Sequence, residues 1–338
     1  MNRKGTPMHV EFTGTYRGKE YVKETAILVK GPNTTTKGTE ITVLGTSNPN
    51  LPQKQFRVVL RDAHSFRAIG GDEAQEQHRE ETEAEIQHRL ERRFHALKKM
   101  TAATALGVNK ALVVSGPAGL GKSYTVEESV RAAEASDGVT VTTIKGFVRA
   151  TGLYKTLYEN RHPGSVIVFD DADSVLLDDV SLNLLKSALD TTDERWLHWS
   201  AETRMETEDG EPLPRSFEFE GQVIFITNID FEQQIEKGTK LAPHLEALLS
   251  RSHYLDLDIR TKKDYIVRIK QVLSYGMLRK EGLNREQEAE VIEFIESNSH
   301  RLRELSLRMA HKIGTMLKMD PGSWRDLAEM TVFKGRKR

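Results

Sequence analysis

Gly116, Pro117, Ala118, Gly119, Leu120, Gly121, Lys122 and Ser123 follow the spacing G-x-x-x-x-G-K-S without a mismatch. They stand between an apolar run, ALVVS, and a segment of helical pattern that begins near Tyr124. Glycines so placed let successive backbone N–H groups curl toward phosphate oxygens, at the positive end of the helix that follows. In that chemistry Lys122 reaches the β- and γ-phosphates of ATP, Ser123 holds Mg2+, and Tyr124 completes the binding segment.

A second constellation lies in SVIVFDDADS, where Asp170 ends an apolar strand and Asp171 follows it. Adjacent carboxylates there divide two tasks: Asp170 fixes the metal, and Asp171 orients and polarises water. A third apolar run, VIFIT, ends at Asn228, whose amide either holds the attacking water or is an ordinary turn residue. In EALLSRSHYLDLDI, Arg251 precedes another strand-like run. It is either a surface cation or, where subunits form a ring, the group that reaches a neighbour's γ-phosphate and stabilises charge in the transition state.

The elements that must position these residues alternate along 110–260: ALVVS, VTVTTIK, SVIVFD, QVIFIT and HYLDLDI, with helical patterns between them. Runs apolar on both faces suit strands of a parallel sheet covered by helices, hence an α/β core. Residues 261–333 are helical in pattern and predict a small bundle, followed by a basic tail at 334–338. Residues 1–70 alternate short strand-like runs with Gly, Pro and Asn, which predicts a small β-rich domain. Through Arg67 that stretch carries eleven Lys or Arg against five Asp or Glu, a solubilising surface or a basic contact face. Segment 71–109 is expected to be a linking helix, with Ile86, Leu90, Phe94 and Leu97 on one face.

Composition narrows the classes. Lys plus Arg total 49 against 50 acidic residues, so a net charge of −1 gives no global attraction to nucleic acid or membrane. With no cysteine, disulfide scaffolds and thiolate metal sites are excluded, which fits a reducing compartment. No segment approaches the ~20 apolar residues of a spanning helix, and a soluble cytosolic protein is expected.

Together, GPAGLGKS, VIVFDDAD, IFITN, LLSRS and a helical region containing RLRELSLR resemble the AAA+ ATPase superfamily over about residues 100–320. The resemblance implies a five-stranded parallel sheet in the order 5-1-4-3-2, a C-terminal helical lid, and a hexameric homo-oligomeric ring with nucleotide between subunits. It implies that Lys122 and Ser123 are Walker A, Asp170 and Asp171 Walker B, Asn228 sensor 1 and Arg251 the arginine finger. It also implies that Arg303, with Arg301 as the alternative, is the sensor 2 arginine. One departure stands out: Asp171 occupies the place where the family usually has glutamate, so hydrolysis is expected to be slow or to use a shifted water. More narrowly, residues 152–190 and 213–228 are similar to ATPases of tailed-phage genomes, often found among replication genes, which would place the protein in the host cytoplasm.

In many AAA+ motors a loop facing the central pore occupies the position of KGFVRATG here. Phe147, Val148 and Arg149 would grip a polymer there, unless Phe147 simply packs beneath the loop. The insertion ERWLHWSAETRMETEDGEPLPRSFEFEG predicts a hairpin with Trp196 and His198 alternating on one arm and Phe217 and Phe219 on the other. The expected function is ATP-driven remodelling or translocation of a macromolecule, with DNA favoured by the basic N-terminal region and by the phage resemblance. A protein substrate, or a slow nucleotide-gated assembly protein, is the alternative.

Overall fold

The computed structural model describes residues 8–335 except 36–37, 47, 49, 53, 63–64, 70–80, 201–204 and 208–209. The start of the expected linker, the acidic tip of the insertion and most of the basic tail lie outside the described residues. The chain divides into two compact units, Met1–Thr82 and Glu83–Arg338.

The first unit is built from β1 (His9–Tyr16), β2 (Lys19–Thr35), β3 (Gly38–Leu44), β4 (Gln55–Leu60) and β5 (Phe66–Ile69). All pairings are antiparallel, and β1 pairs with β2, β4 and β5 while β3 joins β2 to β4, so the sheet closes on itself. Closure bends β1 where it passes from β5 to β4. Its register shifts between Phe12 and Gly14, and a Cβ on Gly14 would lie 2.5 Å from the Val59 carbonyl oxygen. Alternate residues, among them Val10, Phe12, Ile41, Val43, Phe56 and Val58, fill the interior, as a period of two requires.

The second unit opens with α1 (Glu83–Ala105), whose Ile86, Leu90, Phe94 and Leu97 are buried in the main apolar core. There follow β6 (Ala111–Ser115), α2 (Lys122–Asp137), β7 (Thr140–Lys145), α3 (Ala150–Glu159) and β8 (Ser165–Asp170). Then come α4 (Ser174–Leu177), α5 (Asp179–Ala188), β9 (Trp196–His198), β10 (Ser216–Glu218) and β11 (Gln222–Thr227). After α6 (Phe231–Glu236) and α7 (Ala242–Leu249), β12 (His253–Asp256) completes the α/β region. Its parallel strands lie in the order β12-β6-β11-β8-β7, which in chain order is the expected 5-1-4-3-2. Successive residues feed opposite faces: Leu112, Val114, Ile224 and Ile226 enter one core cluster, and Val113, Ile167, Val223 and Phe225 enter the other.

The C-terminal helices are α8 (Lys262–Ser274), α9 (Met277–Lys280), α10 (Arg285–Asn298), α11 (Leu307–Met319) and α12 (Trp324–Val332). Capping boxes at Thr261–Asp264 and Asn284–Gln287 fix two of their starts, each side chain satisfying a free backbone N–H of the other residue. Trp324, 1% exposed, packs against Phe294 with ring centroids 5.1 Å apart and closes this region's core.

The insertion forms a hairpin, β9 against β10, and Phe217 and Phe219 of its second arm are buried as expected, but the first arm turns a different residue inward. Leu197 faces Phe217 across the pair and both are buried, whereas Trp196 and His198 point outward. Phe217 meets the rings of Tyr154 and Tyr158, so its arm packs on α3. No helix among the described residues is long and apolar enough to cross a membrane.

Candidate functional site

All five parallel strands present their C-terminal ends at one edge of the sheet, and the chemistry-bearing side chains gather there. Between β6 and α2 the glycine loop turns through Gly119 at φ 73° and Gly121 at φ 98°, conformations that side chains resist. At Gly119 there is a second reason for glycine: a Cβ would lie 2.8 Å from the Cβ of Ser306 at the start of α11. Backbone contact seals the approach, because the Leu307 N–H donates to the Gly119 carbonyl at 2.8 Å.

Lys122 begins α2 and folds back over this loop, 5% exposed. Its ammonium donates to the carbonyls of Gly116 at 2.6 Å and Pro117 at 2.9 Å, and to Asn228 Oδ1 at 2.9 Å. Burial pushes its pKa down to about 8, although Asp171, Asp170 and Asp173 favour the charged form. Asn228 spends its other amide group on Asp171, Nδ2 to Oδ1 at 3.0 Å, so one side chain orients the lysine and the carboxylate together. Asp171 sits in the left-handed region at φ 54°, a strain typical of residues held for function.

Ser123 Oγ donates to Asp170 Oδ1 at 2.7 Å, and Asp170 is 6% exposed. A hydroxyl and a carboxylate at this separation suit Mg2+, which takes few protein oxygens and completes its octahedron with phosphate and water. Among the described residues no cluster of three or more His, Asp or Glu forms a self-contained metal cage. Behind the acidic run, Thr227 Oγ1 donates to Asp173 Oδ1 at 2.6 Å; burial raises the Asp173 pKa, and the Asp171 charge raises it further.

Two spaces adjoin this cluster. A cleft of about 190 Å³ is bounded by Gly119, Lys122, Ser123, Asp171, Asn228 and Arg308, and also by Ala118, Gly121 and Tyr124. A larger cavity of about 970 Å³ shares the wall at Gly121, Tyr124 and Leu307 and extends between α1 and α8. Its floor is Arg268, whose guanidinium lies 3.3 Å from the Phe94 ring centroid and donates through Nε to the Leu120 carbonyl at 3.3 Å. Burial lowers the Arg268 pKa to about 10, and the stacked ring supplies about 2 kcal/mol in such desolvated settings. One side chain therefore ties the glycine loop, the first helix and the lid together.

The structure does not bring every expected residue to the cleft. Arg303 donates its Nε to the Phe333 carbonyl at 2.9 Å, and Arg301 lies over the Phe333 ring at 4.0 Å. A backbone bridge between Leu302 and Phe333 fastens this stretch to the end of α12, away from the nucleotide loop. The arginine that lines the cleft is Arg308, on the first turn of α11, where the Ser306 cap sets the helix start against Gly119. Its sequence signal was the serine two positions before it, a helix-start residue. Arg268 carried no such signal. Arg251 is also outside this chain's own cleft: at the end of α7 it donates to the Ala247 carbonyl at 3.0 Å and faces Asp190 at 3.7 Å. Phe147 is 75% exposed and packs under nothing, with the Arg149 guanidinium 6.0 Å from its ring centroid.

No protein-family model matches the chain. An uncharacterized 36.7 kDa protein from the nrdC-mobD intergenic region of Enterobacteria phage T4 is 37% identical over 249 residues, 73% of this chain and 76% of the phage protein. Among solved structures, a RuvB mutant of Thermotoga maritima is 18% identical with a TM-score of 0.37, covering 70% of this chain and 64% of its own. The replication initiator DnaA bound to AMPPCP and single-stranded DNA is 13% identical with a TM-score of 0.40, and the matched part is 70% of this chain and 64% of that one. NtrX of Brucella abortus in complex with ATP is 13% identical with a TM-score of 0.39, covering 72% of this chain and 53% of its own.

The depressed Lys122 pKa gives a signed expectation. Phosphate favours the ammonium, so above about pH 8 binding must take up a proton, and affinity for a polyphosphate falls by up to about tenfold per pH unit. Below that pH the lysine is charged in both states and affinity is flat. Titration with a fluorescent nucleotide between about pH 7 and 9.5 checks this, and constant affinity across that range would contradict it.

Proposed function

We propose that the chain, which belongs to one family with the 36.7 kDa phage T4 protein, is an AAA+ ATPase that hydrolyses ATP with Mg2+ as a subunit of a homo-oligomeric ring working on DNA, a reading supported by its strand order and glycine loop. The observation that carries the reading is the continuous chain of contacts from Lys122 through Asn228 to Asp171, beside the Ser123–Asp170 pair. Phosphates enter the cleft, where Lys122 exchanges loop carbonyls for phosphate oxygens and Arg308 closes on them from the lid. Base and sugar occupy the larger cavity against Tyr124 and the Phe94–Arg268 stack. Ser123 and Asp170 hold Mg2+, which neutralises charge on the phosphates when bound. Asp171, oriented by Asn228, accepts the proton of the attacking water.

Asp171 carries a direct test. Its replacement by Asn leaves Asp170 and Ser123 to hold the metal, so Mg·ATP binding is retained while turnover falls about a hundredfold or more. Wild-type turnover in that variant would remove Asp171 from the role. A slow, nucleotide-gated assembly protein is the second reading, favoured by the short carboxylate of Asp171 and its hold on Asn228; a ring or filament that forms with ATP yet turns over little would select it.

Arg251 serves a neighbouring subunit in this reading, because its guanidinium lies outside the cleft of its own chain. Arg251→Ala subunits, with an intact glycine loop, are mixed with Lys122→Ala subunits that keep their arginine. Activity regained in the mixture supports a shared site, and full activity of an isolated monomer would refute it.

The exposed Phe147 and Arg149, with the basic surplus of residues 1–67, support DNA as the polymer. Arg17 and Lys19 are exposed beside Tyr16 and Tyr21 and belong to that surplus. Binding of single-stranded DNA is expected to weaken with salt by a slope of about −0.7 for each neutralised phosphate. Replacing both Arg17 and Lys19 with Gln reduces the magnitude of that slope by about 0.7 to 1.4, one or two phosphate contacts, while Phe147→Ala costs about 1–3 kcal/mol with little change in slope. Absence of DNA binding at about 50 mM salt with ATP and Mg2+ present would move the substrate to protein.

A further inference from the structure

Asp170 has both carboxylate oxygens engaged. Oδ1 accepts from Ser123 Oγ at 2.7 Å, and Oδ2 faces Lys145 Nζ at 3.1 Å. Lys145 ends β7 directly opposite Asp170 in the parallel register, so strand pairing alone brings the ammonium to this carboxylate. Its own side chain is 63% exposed and free to hydrate, whereas that of Asp170 is 8% exposed. The nearly buried carboxylate is the member that needs a cation, and Lys145 supplies it.

The same lysine heads the loop that carries Phe147. Gly146 follows at φ 87°, where a left-handed turn lets the chain reverse, and Phe147 stands at the exposed tip. The far end of the loop is pinned as well: Ser174 Oγ accepts from the Val148 N–H at 2.9 Å and lies 3.2 Å from the Val148 carbonyl. Ser174 opens α4, immediately after the acidic run Asp170 to Asp173. Both ends of the loop are thus fastened to the one segment that holds the metal position. A cavity of about 430 Å³ beside Lys145, lined by Ser123, Glu127, Arg131, Glu134 and Asp170, gives the ammonium room to move off Asp170 toward Glu134, while Glu127 is already paired with Arg131.

We propose that Lys145 is a positioning residue that holds the cation place at Asp170 until Mg2+ arrives with nucleotide, and that its displacement shifts the Phe147 loop. A dication at Asp170 repels the ammonium on its other oxygen and weakens that ion pair, and the lysine, 63% exposed, has water and the adjacent cavity to receive it. Because the coupling is reciprocal, a polymer gripping the loop changes the affinity for Mg·nucleotide by the same factor that Mg·nucleotide changes the grip. This inference rests on the reading of Ser123 and Asp170 as the Mg2+ holders.

The test uses the full chain and a fluorescent, non-hydrolysable ATP analogue titrated with Mg2+. Lys145→Met, at an exposed position, is expected to need about three- to fivefold less Mg2+ for half-maximal binding than the wild type, the size of an exposed ion pair removed. Lys145→Arg, which keeps the cation, retains the wild-type requirement. Chymotrypsin cleavage at Phe147 reports the loop: Mg2+ with the analogue changes the cleavage rate in the wild type and in Lys145→Arg, but not in Lys145→Met. Unchanged Mg2+ dependence in Lys145→Met, or an undiminished Mg2+ effect on its cleavage, overturns the proposal alone. A wild-type chain that fails to bind the analogue at any Mg2+ concentration overturns the nucleotide reading and this proposal with it.

Discussion

A buried ammonium is expensive unless every proton on it finds an acceptor, and the nucleotide loop is arranged around meeting that condition for Lys122. Two acceptors are the carbonyls of Gly116 and Pro117, and the third is the amide of Asn228, reached from a different strand. The loop must therefore curl tightly enough to point carbonyls at its own lysine. The strand order must also put β11 beside β6, or Asn228 would be out of reach. Burial presses against its charge, and all three acceptors are neutral, which is the set that phosphate oxygens would replace in the proposed function.

Parallel pairing explains why so much chemistry collects at one edge. Thr227 stands opposite Ser115, Ile226 and Lys145 opposite Asp170, and Asp256 opposite Ser115, so every strand ends at nearly the same level. Hydrogen bonds then cross from one strand end to the next: Ser115 Oγ to the Ile229 carbonyl, Thr227 Oγ1 to Asp173, and Asn228 to Asp171. Rigid strands fix these atoms more precisely than loops alone would, which is what the proposed roles of Asp171 and Asn228 require.

The lid reaches the site by two different contacts. One is close backbone approach, Gly119 against Ser306 and Leu307, possible only where no Cβ intervenes. The other is the Arg268 guanidinium, which stacks on Phe94 from α1 and bonds to Leu120 in the loop. Any movement of the lid must strain or remake both, so occupancy of the cleft and the attitude of the C-terminal helices are mechanically linked. Arg308 takes its place in the cleft from the same junction.

Much of this was legible in the residues themselves. Local spacing and apolar runs determined the glycine loop, the strand that ends in Asp170 and Asp171, and the alternation of strand and helix, because each depends on neighbours in sequence. The face of α1 was equally plain from Ile86, Leu90, Phe94 and Leu97. Only the tertiary structure decided which arginine lines the cleft, since Arg303 and Arg308 are equally cationic and differ in whether the chain is bound to Phe333 or capped at Ser306. It also decided that Leu197, not Trp196, turns inward, because the partner strand sets which residues of β9 are covered. The pairing of Lys145 with Asp170 and of Arg268 with Phe94 belongs to the same class: residues far apart in the chain meet through sheet register and helix packing, and no local pattern encodes that meeting.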